Sequence, residues 1–227
     1  RTAFIGAILS LVPLGQPLFI KTGLVASTTG LFLSLPKNVY AVDNSFYFNS
    51  GFDKGEKGDH YGAISDYTKA IEINPNDGLA YYNRGWNKAK LKDNYGAIAD
   101  YTKAIEINPN YADAYFMRGN SKSNIKDYYG AIADYTKAIE INPNDGDVYY
   151  NRGNRKLDIE DYYGAISDYT KAIEINPNDA DAYYNRAMSK DNIKDYYGAI
   201  FDYTKAIEIN PNDSSSYKNR SISKENI

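Results

Sequence analysis

Tyr61-Gly-Ala-Ile-Ser-Asp-Tyr-Thr-Lys-Ala-Ile-Glu-Ile-Asn-Pro75 recurs nearly unchanged from Tyr95, Tyr129, Tyr163 and Tyr197. Each copy follows the last by 34 residues, with no insertion. Self-similarity at such a period points to stacked units rather than to one folded core. With each proline set at position 32, the units are 44–77, 78–111, 112–145, 146–179 and 180–213, followed by a fragment, 214–227.

Every unit divides into two helical patterns, expected in the third at Ala112–Ile125 and Tyr128–Ile141. In the second pattern Ala131, Ile132, Tyr135, Ala138 and Ile139 form one apolar stripe of a 3.6-residue period. Asp127 stands before it as an N-cap. Asn142-Pro143-Asn144-Asp145 ends it, because the residue before proline leaves the α region and Asn and Asp favour turns. Lys137 and Glu140 fall on the wet face and add only tenths of a kcal/mol.

Small residues recur where helices must touch: Gly51, Gly85, Gly119 and Gly153 at position 8, with Ala at positions 20 and 27. Tyr recurs at positions 4 and 24. Small facing large at a fixed period lets stacked helix pairs interlock. Gly62, Gly96, Gly130, Gly164 and Gly198 at position 19 lie inside the second helix, each at a cost of about 0.5–1 kcal/mol. Close packing at each turn or recent duplication would account for them.

The period, with Gly at 8, Ala at 20, an aromatic at 24, Ala at 27 and Pro at 32, resembles the tetratricopeptide repeat family. The likeness covers five full units and the first helix of a sixth. Tyr stands at position 4 where the family usually has Trp, and Arg84, Arg118, Arg152, Arg186 and Arg220 stand at position 7 where it often has Leu. The resemblance implies an all-α solenoid, a right-handed superhelix whose first helices line a concave groove. It also implies protein or peptide binding without catalysis. Residues 214–227, more polar, would cap the apolar end of the fifth unit.

On that geometry the groove carries positions 2, 5, 6, 9, 12 and 13. Position 5 reads Phe48, Tyr82, Phe116, Tyr150 and Tyr184; position 6 includes Asn49, Asn83, Asn151 and Asn185; position 9 includes Trp86, Asn120 and Asn154. An aromatic ladder beside an amide ladder suits an extended peptide, since rings give contact area and amides bond a backbone from both sides. The alternative is that the rings are partly core and the amides bond neighbouring residues. Trp86, the single Trp, is the leading hot-spot candidate. Asp113, Asp147 and Asp181 make one rim acidic, which favours a neutral or basic ligand. Lys is absent from positions 5 and 9 in all five full units, so a clamp for a partner's C-terminal carboxylate is not expected.

Composition narrows the chemistry. The 227 residues hold no Cys, one His and 24 Tyr, with a net charge of −3. No disulfide framework, thiolate metal site or two-His cluster can be built, and no cofactor or metal is expected. A slightly acidic chain is a poor counterion for phosphate, so no nucleic acid is expected. His60 reads as solvent-facing, and the recurring Asp and Glu of each unit as solvated faces. The tyrosines read mostly as the same few packing and groove positions repeated. No phosphate loop or nucleophile elbow occurs, so no enzyme is expected.

Residues 1–42 differ in kind. Arg1, Lys21 and Lys37 are their only charges, and the first acid is Asp43. The rest of the chain carries 23 basic and 29 acidic side chains. Thr2 to Ile20 is uncharged, about 28 Å as a helix but interrupted by Pro13 and Pro17. Gly23 to Leu35 is a second apolar stretch, followed by Pro36 and Val39-Tyr40-Ala41, the pattern of a secretory signal cut after Ala41. Three readings stand: a cleaved export signal, a membrane anchor, or a buried cap on the repeats. The chain opens on Arg1, which leaves room for an upstream stretch; a basic one would favour either membrane reading. The array is thus expected to be exported, to a periplasm or lumen, or membrane-anchored. It reads as a scaffold for an unidentified protein or peptide partner. A self-associating spacer or assembly factor at a membrane is the alternative.

Overall fold

The computed structural model describes residues 43–227, which form eleven α-helices and, among the described residues, no strand. The first helices are α1 Asn44–Glu56, α3 Gly78–Lys90, α5 Ala112–Asn124, α7 Gly146–Asp158 and α9 Ala180–Asn192. The second helices are α2 His60–Ile73, α4 Asn94–Ile107, α6 Tyr128–Ile141, α8 Tyr162–Ile175 and α10 Tyr196–Ile209. α11, Ser214–Glu225, packs on α10. The readings of residues 1–42 lie outside the described residues, among which no helix is long and apolar enough to cross a membrane.

The hairpin turn is made by two residues. In the second hairpin Lys92 N–H donates to Ala89 O and Asp93 N–H to Lys88 O, both at 2.9 Å. This crossed pair closes the helix end when the residue after the cap is left-handed. Lys92, Lys126, Glu160 and Lys194 all take φ of 61–65°, and Gly58 takes 81° in the first hairpin. The same Asp then caps the next helix: Asp127 accepts from Gly130 N–H at 3.0 Å, as expected for that cap. A Cβ on Gly130 would stand 2.1 Å from Asp127 Oδ2. The position-19 glycines therefore give room to the capping carboxylate, a reason independent of duplication.

Between hairpins, Asn142 takes extended backbone before Pro143 and accepts from Asn144 N–H at 3.4 Å. The next Asp, such as Asp179, caps the following first helix. Tyr111 breaks that column. It stands at the N-cap of α5 with no side-chain cap bond, and its ring lies 5.0 Å from that of Tyr82.

The core is a column of identical layers. Tyr67, Tyr101, Tyr135, Tyr169 and Tyr203 are each 0–1% exposed, packed among Ala at positions 20 and 27. A Cβ at Gly119 would come within 2.7 Å of the Tyr135 ring, so the helices approach to glycine distance there. Successive first helices touch one another, α1 with α3, α3 with α5 and α7 with α9. The second helices form no comparable pair, which puts the first helices on the inner side of the stack.

The Asp of each second helix corrects the solvated-face reading. Asp66, Asp100, Asp134, Asp168 and Asp202 are at most 4% exposed. Arg152 meets Asp168 with Nε at 2.9 Å and Nη2 at 2.7 Å, and reaches Thr136 of the preceding unit with Nη1 at 3.0 Å. Lys156 adds a contact of 2.9 Å to the same carboxylate. The pattern repeats at Arg84, Arg118 and Arg186. Each guanidinium also lies over the position-4 Tyr, 5.4–5.6 Å from its centroid. Position 7 is thus a polar inter-unit bolt where an apolar side chain would serve elsewhere. Ser50 replaces Arg in the first unit and binds Asp66 at 2.6 Å, beside Lys54 at 2.5 Å.

The remaining tyrosines include one exposed set. Tyr61, Tyr95, Tyr129, Tyr163 and Tyr197, at position 18, are 74–76% exposed and belong neither to core nor to groove. Their place on the first turn of each second helix points them away from the packed stripe.

Candidate partner-binding groove

The position-5 rings serve two purposes at once. Phe48, Tyr82, Phe116, Tyr150 and Tyr184 are half-buried. Each packs on the buried Tyr of its own unit at 5.5–5.9 Å between centroids. One side of each ring therefore closes the core while the remainder faces the inner surface. These contacts fix the rings without further ordering on binding, a condition for contact area at low entropy cost.

The amides divide into tethered and available ones. Asn154 Oδ1 accepts from Tyr169 Oη at 2.8 Å and from Asn185 Nδ2 at 3.1 Å. Asn185 also donates to Tyr150 Oη at 3.1 Å, joining units four and five. Asn120 Oδ1 accepts from Tyr135 Oη at 2.7 Å. These three residues act largely within the array. Asn83 and Asn151 instead donate back to their own helices, to Leu79 O at 2.9 Å and Asp147 O at 2.8 Å. Their carbonyl oxygens are left for a ligand, and Asn49 is exposed at the start of the row.

Trp86 is half-buried and lines a cleft of ≈120 Å³ with Phe52, Gly55, Glu56, Tyr67, Tyr82, Asn83 and Asn87. His60, expected to face solvent, is half-buried instead. Its Nδ1 lies 2.9 Å from Asn87 Oδ1, and its ring meets Trp86 edge-on at 5.8 Å. Asn87, 2% exposed, is fixed on its other side by Asn83 O at 2.8 Å. Position 9 of unit one, Phe52, is 51% exposed at the cleft mouth. Glu56 stands in a groove column, position 13, but is the only Glu there, and Asn87 stands at position 10, outside the expected groove columns, so neither was marked as a site residue. Tyr111 had a signal, the broken Asp column.

Burial pushes the Tyr67 hydroxyl up to about 12, with Glu56 adding to the effect. Burial likewise raises Tyr82, with Asp113 of the next unit as the second cause. Tyr150 is raised by burial too, with Asp181 and Asp179 contributing against hydrogen bonds from Asn154 and Asn185. Carboxylates therefore stand close to the groove rings in several units. A second cleft, lined by Met188, Asp191, Asn192, Tyr203, Asn219 and Ile222, lies in units five and six. Its Asp191 is occupied by Ser223 and by Tyr203 Oη at 2.9 Å. Among the described residues no three of His, Asp and Glu gather to hold a metal ion.

Helix pairs stacked at a fixed period, with an inner face of rings and amides, define a helical-repeat solenoid of the protein-binding kind. The chain belongs to the tetratricopeptide repeat family: Tetratricopeptide repeat profiles match residues 45–77, 112–145 and 180–213, and a TPR repeat profile matches 89–123 and 153–189. The chain is similar to the crystal structure of MamA at 26% identity, over 76% of this chain and 94% of that one, with a TM-score of 0.71. It is similar in fold to YrrB, described as a TPR protein with an unusual peptide-binding site, at 22% identity, 79% and 92% coverage and a TM-score of 0.72. MamA from Desulfovibrio magneticus RS-1 gives 21%, 75% and 97%, and 0.70. No curated protein matches in sequence.

Proposed function

We propose that the chain is a non-catalytic scaffold that seats an extended peptide segment of a partner protein along its first helices. One observation carries this reading: the ring ladder is held rigidly by the core Tyr column while Asn83 and Asn151 keep carbonyl oxygens on the same face. Preorganised rings with unengaged amides suit a peptide backbone. The peptide-binding site ascribed to YrrB is consistent with such a use of the fold. The repeated carboxylates are tied to Arg and Lys, which leaves them poor candidates for acid–base work.

Affinity capture from native membranes, with Trp86→Ala, Asn83→Ala and Asn151→Ala combined as control, tests the groove. Partners retained by the triple variant as well as by the parent would sink it. Self-association is the alternative, favoured by Phe46, 60% exposed on α1. Sedimentation of the chain as a strict monomer would count against it. We further infer that residues 1–42 direct the array to export or to a membrane, since they are largely apolar, carry only the basic charges Arg1, Lys21 and Lys37, and end where the first acid, Asp43, begins. Sequencing of the mature N-terminus together with membrane fractionation tests this; an uncut chain found wholly outside membranes would oppose it.

A further inference from the structure

The cleft at units one and two departs from an otherwise copied array. Position 9 carries a ring only in these two units, Phe52 and Trp86. In units three and four it carries Asn120 and Asn154, both bound to core Tyr hydroxyls. The change in unit two leaves Tyr101 Oη buried with no hydrogen-bond partner. A polar loss inside the repeat thus accompanies the gain of an indole at the surface.

Four rings wall the cleft, Phe52, Tyr67, Tyr82 and Trp86, and Glu56 is the one charged residue in its lining. Ring faces carry negative quadrupole potential and attract cations within about 6 Å. A carboxylate beside them adds a Coulombic attraction that low-dielectric walls strengthen. An anionic group would meet repulsion from both. A neutral apolar group would cover Glu56 without pairing it, an unfavourable desolvation. Asp113 near the Tyr82 hydroxyl adds a second negative charge. The chain itself already sets a cation on this indole: Lys90 Nζ lies 4.8 Å from the Trp86 centroid, though Lys90 does not line the cleft.

We propose that this cleft takes a lysine or arginine side chain of the bound peptide, its charged head against the Trp86 and Tyr82 rings and the Glu56 carboxylate. This rests on the groove reading and deepens it, by naming the anchor residue the partner must supply. It fixes the N-terminal end of the groove as the cation-selective end, since the unit-five cleft has its Asp191 engaged internally.

The test uses the full chain and short capped peptides of Ala, Ser and Gly that differ at one central residue: lysine, arginine, acetyl-lysine or glutamate. Trp86, the only Trp, reports binding by its fluorescence. The lysine and arginine peptides are expected to bind at least about tenfold more tightly than the acetyl-lysine peptide. Glu56→Gln should reduce that ratio severalfold, with helical content unchanged by circular dichroism. Equal affinity for lysine and acetyl-lysine peptides, or a ratio indifferent to Glu56→Gln, overturns the anchor. If the equal binding is still lost on Asn83→Ala with Asn151→Ala, the groove stands and the cation selectivity alone is wrong. Failure of every peptide to bind overturns the anchor too, and the capture experiment then judges the groove separately.

Discussion

Arg152 grips Asp168 through two parallel N–H···O bonds of 2.9 and 2.7 Å, with Arg152 at 15% and Asp168 at 3% side-chain exposure. The same guanidinium reaches Thr136 in the preceding unit, so one residue closes a hairpin and joins it to its neighbour. Breaking a buried pair from one side strands the other charge and costs about 3–5 kcal/mol. Asp168→Asn is therefore expected to lower stability by that order, because Arg152 and Lys156 both lose their counter-charge. Arg152→Met and Lys156→Met with Asp168→Leu should recover more than half of the loss, since an apolar cluster of similar volume leaves no charge without a partner. Urea unfolding of the parent and the two variants measures it. A combined variant no better than the single one would mean that the Thr136 link carries most of the energy.

The fold was legible in the sequence wherever one residue type recurs for one reason. Ala131, Tyr135 and Ala138 marked the buried stripe, and α6 runs over the expected Tyr128–Ile141, while α5 stops at Asn124, one residue early. Burial of charge was not legible. Asp168 recurs as faithfully as the exposed Glu174, and only its partner Arg152, 16 residues away, distinguishes them. Groove residues were legible as positions but not as states. Asn185 and Asn151 share position 6, yet one is bound across units and the other only to its own helix. The cleft needed residues at positions 9, 10 and 13 of different helices, and no single column of the repeat contains them.

Tyr101 and Tyr135 occupy equivalent places with opposite polar fates. Tyr135 Oη donates to Asn120, whereas Tyr101 Oη is buried without a partner. An unsatisfied buried hydroxyl costs about 1–3 kcal/mol, while a made hydrogen bond contributes about 1 kcal/mol. Tyr101→Phe is expected to stabilise the array by about 1 kcal/mol, and Tyr135→Phe to destabilise it by a similar amount. Thermal or urea unfolding of the pair decides it. Shifts of the same sign would show that ring packing, not the hydroxyl, dominates.

Four hairpin turns hold a non-glycine residue in the left-handed region, at Lys92, Lys126, Glu160 and Lys194, where the first hairpin has Gly58. That conformation is disfavoured for side-chain-bearing residues by roughly 1–2 kcal/mol, offset in part by the greater chain entropy of glycine when unfolded. Lys126→Gly should therefore raise stability by about 0.5–1 kcal/mol. The four substitutions together should raise the thermal midpoint more than any one alone, because the turns are far apart and their effects add. A drop on Lys126→Gly would mean that its side chain makes a contact worth more than the strain.

Alkali should open the array from its core. The Tyr67 and Tyr135 hydroxyls are pushed from 10.0 up to about 12, first by burial in both cases. Their neutral forms are favoured in the folded chain, so the stabilisation is complete below the unfolded value of 10.0 and is lost as pH rises toward about 12. Over that window each contributes a slope of about 1.4 kcal/mol per pH unit. Helical content followed by circular dichroism should fall cooperatively there, together with a late rise in tyrosinate absorbance. Tyr67→Phe and Tyr135→Phe, each measured against its own neutral-pH stability, should flatten the descent. A late tyrosinate signal that develops fully while the helices remain intact would mean that these hydroxyls ionise in place and exert no hold on the fold.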